Sequence, residues 1–298
     1  MRVTWGMMVD NLLAGMSGAA SRIQRYQTQL ATGRRVNQPS DDPIGVIRIL
    51  ALRSGIERAQ TYLDNVAQAR EWMTVSETAL QRAGSVMAQA KECAQRGASG
   101  VLTADGRRAI ALEVSGLIDE LLAVANTSYL GRYVFAGTDN DAAPFALTGE
   151  PPTAWTFSGN AGELRWDIEP QTDMVVNTPG EAVFGGVEGP FAALIRLRDD
   201  LLAGNVTALA AEDLSLIDSA QTVVLNALGS LGANSRRLDQ AGARLEHLHQ
   251  AFVESLSGYE DVDMAEAIIN LELAESAYGA AQGVAARLVR PTLVDLLR

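Results

Sequence analysis

Apolar side chains recur three, four or seven residues apart at both ends of this 298-residue chain. Met8, Leu12, Ala19, Ile23, Tyr26 and Leu30 fall on one face of a helix over residues 7–32. Met264, Ile268, Leu271, Ala274, Tyr278, Ala281, Ala285 and Leu288 do the same near the other end. Between them run two longer patterns. Leu52, Ala59, Val66, Met73, Leu80, Met87 and Ala94 recur every seven residues, with Ala69, Ser76, Ala83 and Ala90 as a second, small-residue layer. That alternation predicts a close-packed, coiled-coil-like seam on a helix from Pro43 to Arg96, about 80 Å long at about 1.5 Å per residue. A further helix follows to about Asn126, with Ile110, Val114, Leu117, Leu121 and Val124 on one side. Helical patterning returns at Phe191 and holds to Ser257 apart from Gly204-Asn205, with Leu231, Leu238, Leu245, Phe252 and Tyr259 again seven apart. Gly258 is expected to close that helix.

The breaks have their own signatures. Gly33 is a stop, and Pro39 pushes Gln38 towards extended backbone. Asp42 before Pro43 reads as an N-cap followed by the first helical position, where proline loses no needed N–H. Gly97, Gly100 and Gly106 mark a turn, and Asp261 or Asp263 can cap the last helix. Residues 129–190 differ in character: they hold six of the nine prolines and two of the four tryptophans. Short β-like runs (Arg132–Ala136, Trp155–Phe157, Leu164–Ile168, Met174–Val176) are separated there by turn residues. The expected fold is mainly α: paired long N- and C-terminal helices form a coiled-coil-like bundle, with a small β-rich domain inserted mid-chain. The expected domains are 1–42 with 258–298 as a terminal helical core region, 43–130 with 191–257 as the long-helix bundle, and 131–190 as the outer β-rich part. The two long helices can cover each other's seams. The terminal stripes find no third apolar surface within the chain, so they are expected to pair with each other or with other subunits. The subunit-interface candidates are Met8, Leu12, Ile23, Leu30, Ile268, Leu271, Tyr278, Leu288, Leu293, Leu296 and Leu297. The helix-break and cap candidates are Gly33, Pro39, Asp42 and Pro43.

Composition narrows the function. Hydrophobic residues make up 47% of the chain but aromatic residues only 5%, which suits thin helix–helix seams. The net charge of −12 disfavours a nucleic-acid partner. No apolar window reaches the length of a membrane span, and the N-terminus shows no cleavable signal. Cys93 is the only cysteine and reads as a small buried side chain. His247 and His249 lie two apart, about 200° around a helix at 3.6 residues per turn, so they cannot share one metal. Asp139, Asp141 and Glu150 fit positions 1, 3 and 12 of a calcium loop, but Pro144 stands where that loop needs glycine. Asp261, Asp263 and Glu266 read as favourable charge at a helix start. No catalytic motif, cofactor or metal site is expected.

Several segments resemble flagellar hook–filament junction proteins of the flagellin superfamily. Met1-Arg2-Val3 with Met7-Met8, and Ala31-Thr32-Gly33-Arg34-Arg35-Val36-Asn37-Gln38-Pro39-Ser40-Asp41-Asp42-Pro43, look like that family's start. Leu122–Thr127 leading to Gly131-Arg132-Tyr133-Val134-Phe135-Ala136-Gly137, then Pro144-Phe145, is similar to its helix-to-β transition. Asp261-Val262-Asp263-Met264-Ala265-Glu266 and Leu293-Val294-Asp295-Leu296-Leu297 resemble its C-terminal segments. The resemblance implies an extracellular structural protein of the bacterial flagellum, not an enzyme. It implies export by the flagellar type III apparatus with an export chaperone, without a cleaved signal. It also implies a homo-oligomeric ring whose partners are the other junction protein and flagellin. Flagellin itself is the alternative within the superfamily, but Pro39, Pro43 and the Gly131–Gly137 run favour a junction protein. Two readings from other classes remain. One is an intracellular coiled-coil adaptor; the other is a ligand-binding or enzymatic module in the β insert, lined by Trp155 and Trp166.

Overall fold

The computed structural model describes residues 5–99 and 102–288, without the side chains of Trp5 and Leu288. The chain divides into two compact units, residues 1–59 with 248–298 and residues 60–247. Helices α2 (Pro43–Gly97) and α7 (Leu214–Glu260) contribute to both.

In the larger unit, α2 and α7 run antiparallel. Arg70 Nη2 meets Asp239 at 2.7 Å and Lys91 Nζ meets Asp218 at 2.6 Å. Twenty-one residues separate the two partners on each helix, which is three heptads, so the register holds over that span. Both layers of the predicted seam are buried: Val66, Met73, Leu80, Met87 and Ala94 with Ala69, Ser76, Ala83 and Ala90 on one helix, and Leu231, Leu238 and Leu245 on the other. Val66 lies against Gly242, where a Cβ would come within 3.3 Å of it.

A further row of α2, Trp72, Ala79, Val86 and Cys93, is also seven-spaced and also buried. It widens the apolar face beyond a two-helix seam, because α3 (Ala104–Ala125) and α5 (Pro190–Ala203) complete the bundle and pack on each other. Thr103 caps α3 by accepting from Gly106 N at 3.2 Å, which places Gly106 inside the helix and not in the expected turn.

The central segment forms three separate antiparallel hairpins: β1 with β2 (Ser128–Tyr129, Arg132–Tyr133), β3 with β4 (Phe145–Thr148, Ala154–Phe157) and β5 with β6 (Arg165–Glu169, Thr172–Val175). The run Arg132–Ala136 is a strand only at its start. Val134, Phe135 and Ala136 are fully buried; Val134 N extends the β1–β2 register by one bond to Thr127 O, and Phe135 O then accepts from Gly180 N. Their job is to plug the core. Phe145 sits among Phe157, Phe184, Phe191 and Trp155, with ring centroids 5.0–6.3 Å away. The short α4 (Gly180–Phe184) supplies Phe184 and α5 supplies Phe191, so the β3–β4 hairpin is fastened to the bundle by aromatic packing. After α5, Gly204 takes a left-handed conformation at the expected break. A short α6 (Val206–Ala208) and a π-helical turn (Leu209–Asp213) lead into α7.

In the smaller unit, α1 (Trp5–Thr32) packs along α8 (Met264–Leu288). The helix α7 runs two residues past the expected stop at Gly258. Asp261 N still bonds to Ser257 O at 2.9 Å, and the chain leaves the helix only where it pairs with the segment after α1. Among the described residues no helix is long and apolar enough to cross a membrane.

Candidate assembly site at the interhelical joint

Two chain breaks meet in the smaller unit. Gly33, at φ +71°, ends α1, and its N–H still reaches Gln29 O at 2.8 Å. A side chain there would be strained. The next residues pair with the end of α7: Arg35 N donates to Glu260 O at 2.7 Å, Val262 N donates to Gly33 O at 3.0 Å, and Arg34 bridges Asp261. Buried Gln29 supports this from below, donating Nε2 to Arg35 O at 2.7 Å.

Beyond the bridge, the Asp41 carboxylate accepts from Asn37 N at 3.2 Å and Gln38 N at 3.0 Å, which organises the turn that carries Pro39. Asp42 then starts α2: its Oδ1 accepts from Gly45 N at 2.8 Å and its carbonyl from Val46 N at 2.9 Å. This is the cap expected ahead of Pro43, the first residue of α2. Gly45 makes it possible, because a Cβ at that position would stand 2.4 Å from Asp42 Oδ2. On the other side Asp263 Oδ1 accepts from Ala265 N and Glu266 N at 2.9 and 3.1 Å, so Asp263 caps α8.

The charges at this joint centre on Glu260, whose side chain is 8% exposed. Arg34 Nε and Arg53 Nη2 both reach its Oε1 at 2.6 Å. Arg35 Nη2 donates to Tyr259 O at 2.9 Å, and Arg48 donates to the Tyr259 hydroxyl at 2.7 Å while its guanidinium lies 5.2 Å from the ring centroid. A carboxylate removed from water is stable only when paired and hydrogen-bonded, and Arg34 of the bridge after α1 and Arg53 of α2 supply the pairing. Glu260 carries no motif of its own and Tyr259 only closes the seven-residue row of α7; the clue available in the sequence was the arginine-rich run Arg34-Arg35 beside a proline-marked break.

The terminal pair presents the candidate interface residues in two ways. Leu12, Ile23 and Leu30 of α1, with Leu271 and Tyr278 of α8, are half-buried in the pair, around buried Ala19, Ala267 and Ala274. Met8 and Ile268 stay 43% and 47% exposed. They are joined on the surface by Met264 of the same stripe, and by Leu13, Ile269, Leu273 and Val284, which the stripe reading missed. The signal was there: Ile268, Ile269, Leu271 and Leu273 crowd apolar side chains around most of one helix circumference. The side chain of Leu288, and Leu293, Leu296 and Leu297 altogether, lie outside the described residues.

Cys93, Trp155 and Trp166, also weighed for chemistry, pack in or against the core. Cys93 is buried, and burial pushes its thiol pKa up, against the Arg96 hydrogen bond that lowers it. Trp155 stacks on Phe191 at 27° and Trp166 packs against the core. His247 is on the surface and His249 is half-buried. Among the described residues no three His, Cys, Asp or Glu side chains are grouped to hold a metal.

Family models of the bacterial flagellin N-terminal and C-terminal helical regions match residues 5–140 and 214–297. The chain belongs to the flagellin family. The two matches contain both breaks of the joint, the long seam and the terminal pair. The chain is 28% identical over 188 residues to flagellar hook-associated protein 3 of Escherichia coli K12, an alignment that takes in 63% of this chain and 58% of that protein's length. A flagellar hook-associated protein from Vibrio parahaemolyticus superposes with a TM-score of 0.67 at 22% identity, covering 74% of this chain and 99% of that one. A flagellar junction protein from Legionella pneumophila gives 0.60 at 15% identity, covering 73% and 100%. Both are likenesses of fold.

Proposed function

We propose that this chain is a structural subunit of the bacterial flagellum. It forms the junction ring that joins the hook side to the flagellin filament. The observation that carries this reading is the apolar surface that the α1–α8 pair leaves uncovered: Met8 and Ile268, on the paired stripes, stay exposed, and so do Leu13, Ile269 and Leu273, which lie off those stripes. Such a pair is a building block whose remaining apolar surface is buried by other subunits. In this reading Met8, Leu12, Ile23, Leu30, Ile268, Leu271, Tyr278 and Leu288 line the packed core of the ring, and Leu293, Leu296 and Leu297 reach neighbouring subunits. Gly33, Pro39, Asp42 and Pro43 set the break between terminal and long helices. The partners are further copies of the chain, the other junction protein and flagellin. The protein acts outside the cell without catalysis or cofactor, after export by the flagellar type III apparatus with a chaperone. A junction role is favoured over a filament role by Pro39, Pro43 and the Gly131–Gly137 run, and by the hook-associated names of the relatives.

The test is a deletion strain examined by electron microscopy, with secreted flagellin assayed in the medium. Hooks without filaments, and flagellin lost to the medium, are expected; restored filaments accompany the returned gene. Normal filaments in the deletion strain refute the junction role.

A further inference from the structure

The π-helical turn ahead of α7 holds a carboxyl group with too little counter-charge. The Asp213 side chain is fully buried, with Oδ1 3.2 Å from Arg196 Nε, and neither of its oxygens accepts a conventional hydrogen bond. The same guanidinium stands 3.7 Å from Asp200 and is hydrogen-bonded to Glu212. Three carboxylates therefore share one arginine.

Asp200 in turn closes the end of α5. Its carbonyl accepts from Gly204 N and Asn205 N, and its Oδ1 accepts from Asn205 Nδ2 at 2.6 Å. Leu209 begins the π turn and is fully buried, its Cδ1 3.7 Å from where a Cβ on Gly97 would stand. Asp213 cannot reach water while this turn stays packed. The charged groups around it are Arg196 and Asp200 from α5 and Glu212 from its own turn. The helix α6 carries no charge, and on α2 the arginine beside Gly97, Arg96, is paired with Glu113 at 2.6 Å.

We propose that Asp213 is a proton-operated latch on the start of α7. With its proton in place, the Asp213 hydroxyl donates to the Asp200 carboxylate and residues 204–213 stay packed on α5. With the proton lost, two buried-side carboxylates face each other across one shared guanidinium, and the turn opens to hydrate them. A π turn is a natural place for such a device, since its backbone ladder is already irregular.

Burial first, and then the charge of Asp200, raise the Asp213 carboxyl from the ordinary 3.8 to about 6, with Arg196 pulling the other way. The closed turn therefore binds a proton over a window in which the opened turn has released it. Its stability is full below about pH 4 and falls as pH rises through 6. From the two values, the opening equilibrium should be on the order of tenfold larger at pH 7.5 than at pH 5.0.

Hydrogen exchange of the full-length chain, read by mass spectrometry and corrected for intrinsic exchange, tests this. Peptides covering residues 204–213 should open about tenfold more at pH 7.5 than at pH 5.0. Asp213→Asn should abolish that difference, and Asp200→Asn should reduce it by removing the facing charge. A wild-type protein with no pH dependence in this segment overturns the latch, as does an Asp213→Asn protein that keeps it. If Asp213→Asn fails to fold, carbon NMR of the wild-type carboxyl groups decides: titration of Asp213 near 6 supports the proposal, and titration near 4 refutes it.

Discussion

Glu260 and its two arginines are unequally buried. The carboxylate is 8% exposed, whereas Arg34 and Arg53 keep 53% and 42% of their side-chain surface. The cost of breaking the cluster therefore depends on which member is removed. Glu260→Ala leaves two guanidiniums that water already reaches, and should cost about 1 kcal/mol. Arg34→Ala with Arg53→Ala leaves a buried charge uncompensated, and should cost about 3–5 kcal/mol. Urea unfolding of the two proteins measures the difference, and equal losses would contradict the account. Asp42 and Gly45 form a second coupled pair. Asp42→Ala should cost about 1 kcal/mol as a lost cap. Gly45→Ala should destabilise the native chain, because its Cβ meets the Asp42 carboxylate. In the Asp42→Ala background the same change should stabilise by up to about 1 kcal/mol, since the clash is gone and alanine is the better helix former. A double-mutant cycle reads the change of sign. Cys93, buried and with its thiol pKa raised, should react with a thiol reagent only when the bundle opens, so its labelling rate in urea should follow global unfolding.

The two kinds of helix pair differ in depth. The seam between α2 and α7 buries large side chains completely, among them Leu80, Met87 and Leu238. Leu238→Ala should therefore cost about 2–5 kcal/mol in a melt. Along α1 and α8 the only hydrophobic side chains counted as buried among the described residues are Ala19, Ala267 and Ala274. A pair held by half-buried leucines and small alanines has little stability of its own. Limited proteolysis should cut within α1 and α8 before it cuts residues 60–247. Substituting Leu13→Glu and Leu273→Glu, at positions 58% and 63% exposed, should leave the circular dichroism of the free chain unchanged and prevent filament attachment. Attachment at wild-type levels would show that this face is not buried in the assembly.

At the scale of the whole molecule, the parts with a short-range cause were legible in the sequence. The seven-residue periods gave the long helices and their seam, because burial along a helix follows its own repeat. Asp42 before Pro43, and Gly33, marked the joint, because caps and left-handed turns are decided within four residues. The resemblance to hook–filament junction proteins rested on the joint segment 31–43 together with the N-terminal start, the helix-to-β transition and the C-terminal segments. Some readings failed where longer-range packing competed with local pattern. Val134–Ala136 has strand-like composition, yet it is spent on plugging the core. Gly258 is a plausible stop, yet α7 continues until its end can pair with Gly33 and Arg35. The buried row Trp72, Ala79, Val86 and Cys93 became an apolar face only through the neighbours that α3 and α5 provide.

The sequence by itself determined where the long helices lie, where α1 ends and α2 begins, and that the terminal stripes need a partner. Only the tertiary structure decided which partners those are. It paired α1 with α8, placed Arg34 and Arg53 on Glu260, and left three carboxylates around Arg196. The physical reason is reach. Periodicity and capping act between neighbours in the chain, whereas a bond such as that from Arg35 to Tyr259 joins residues 224 positions apart. Such a contact exists only after the helices between have set their lengths and register.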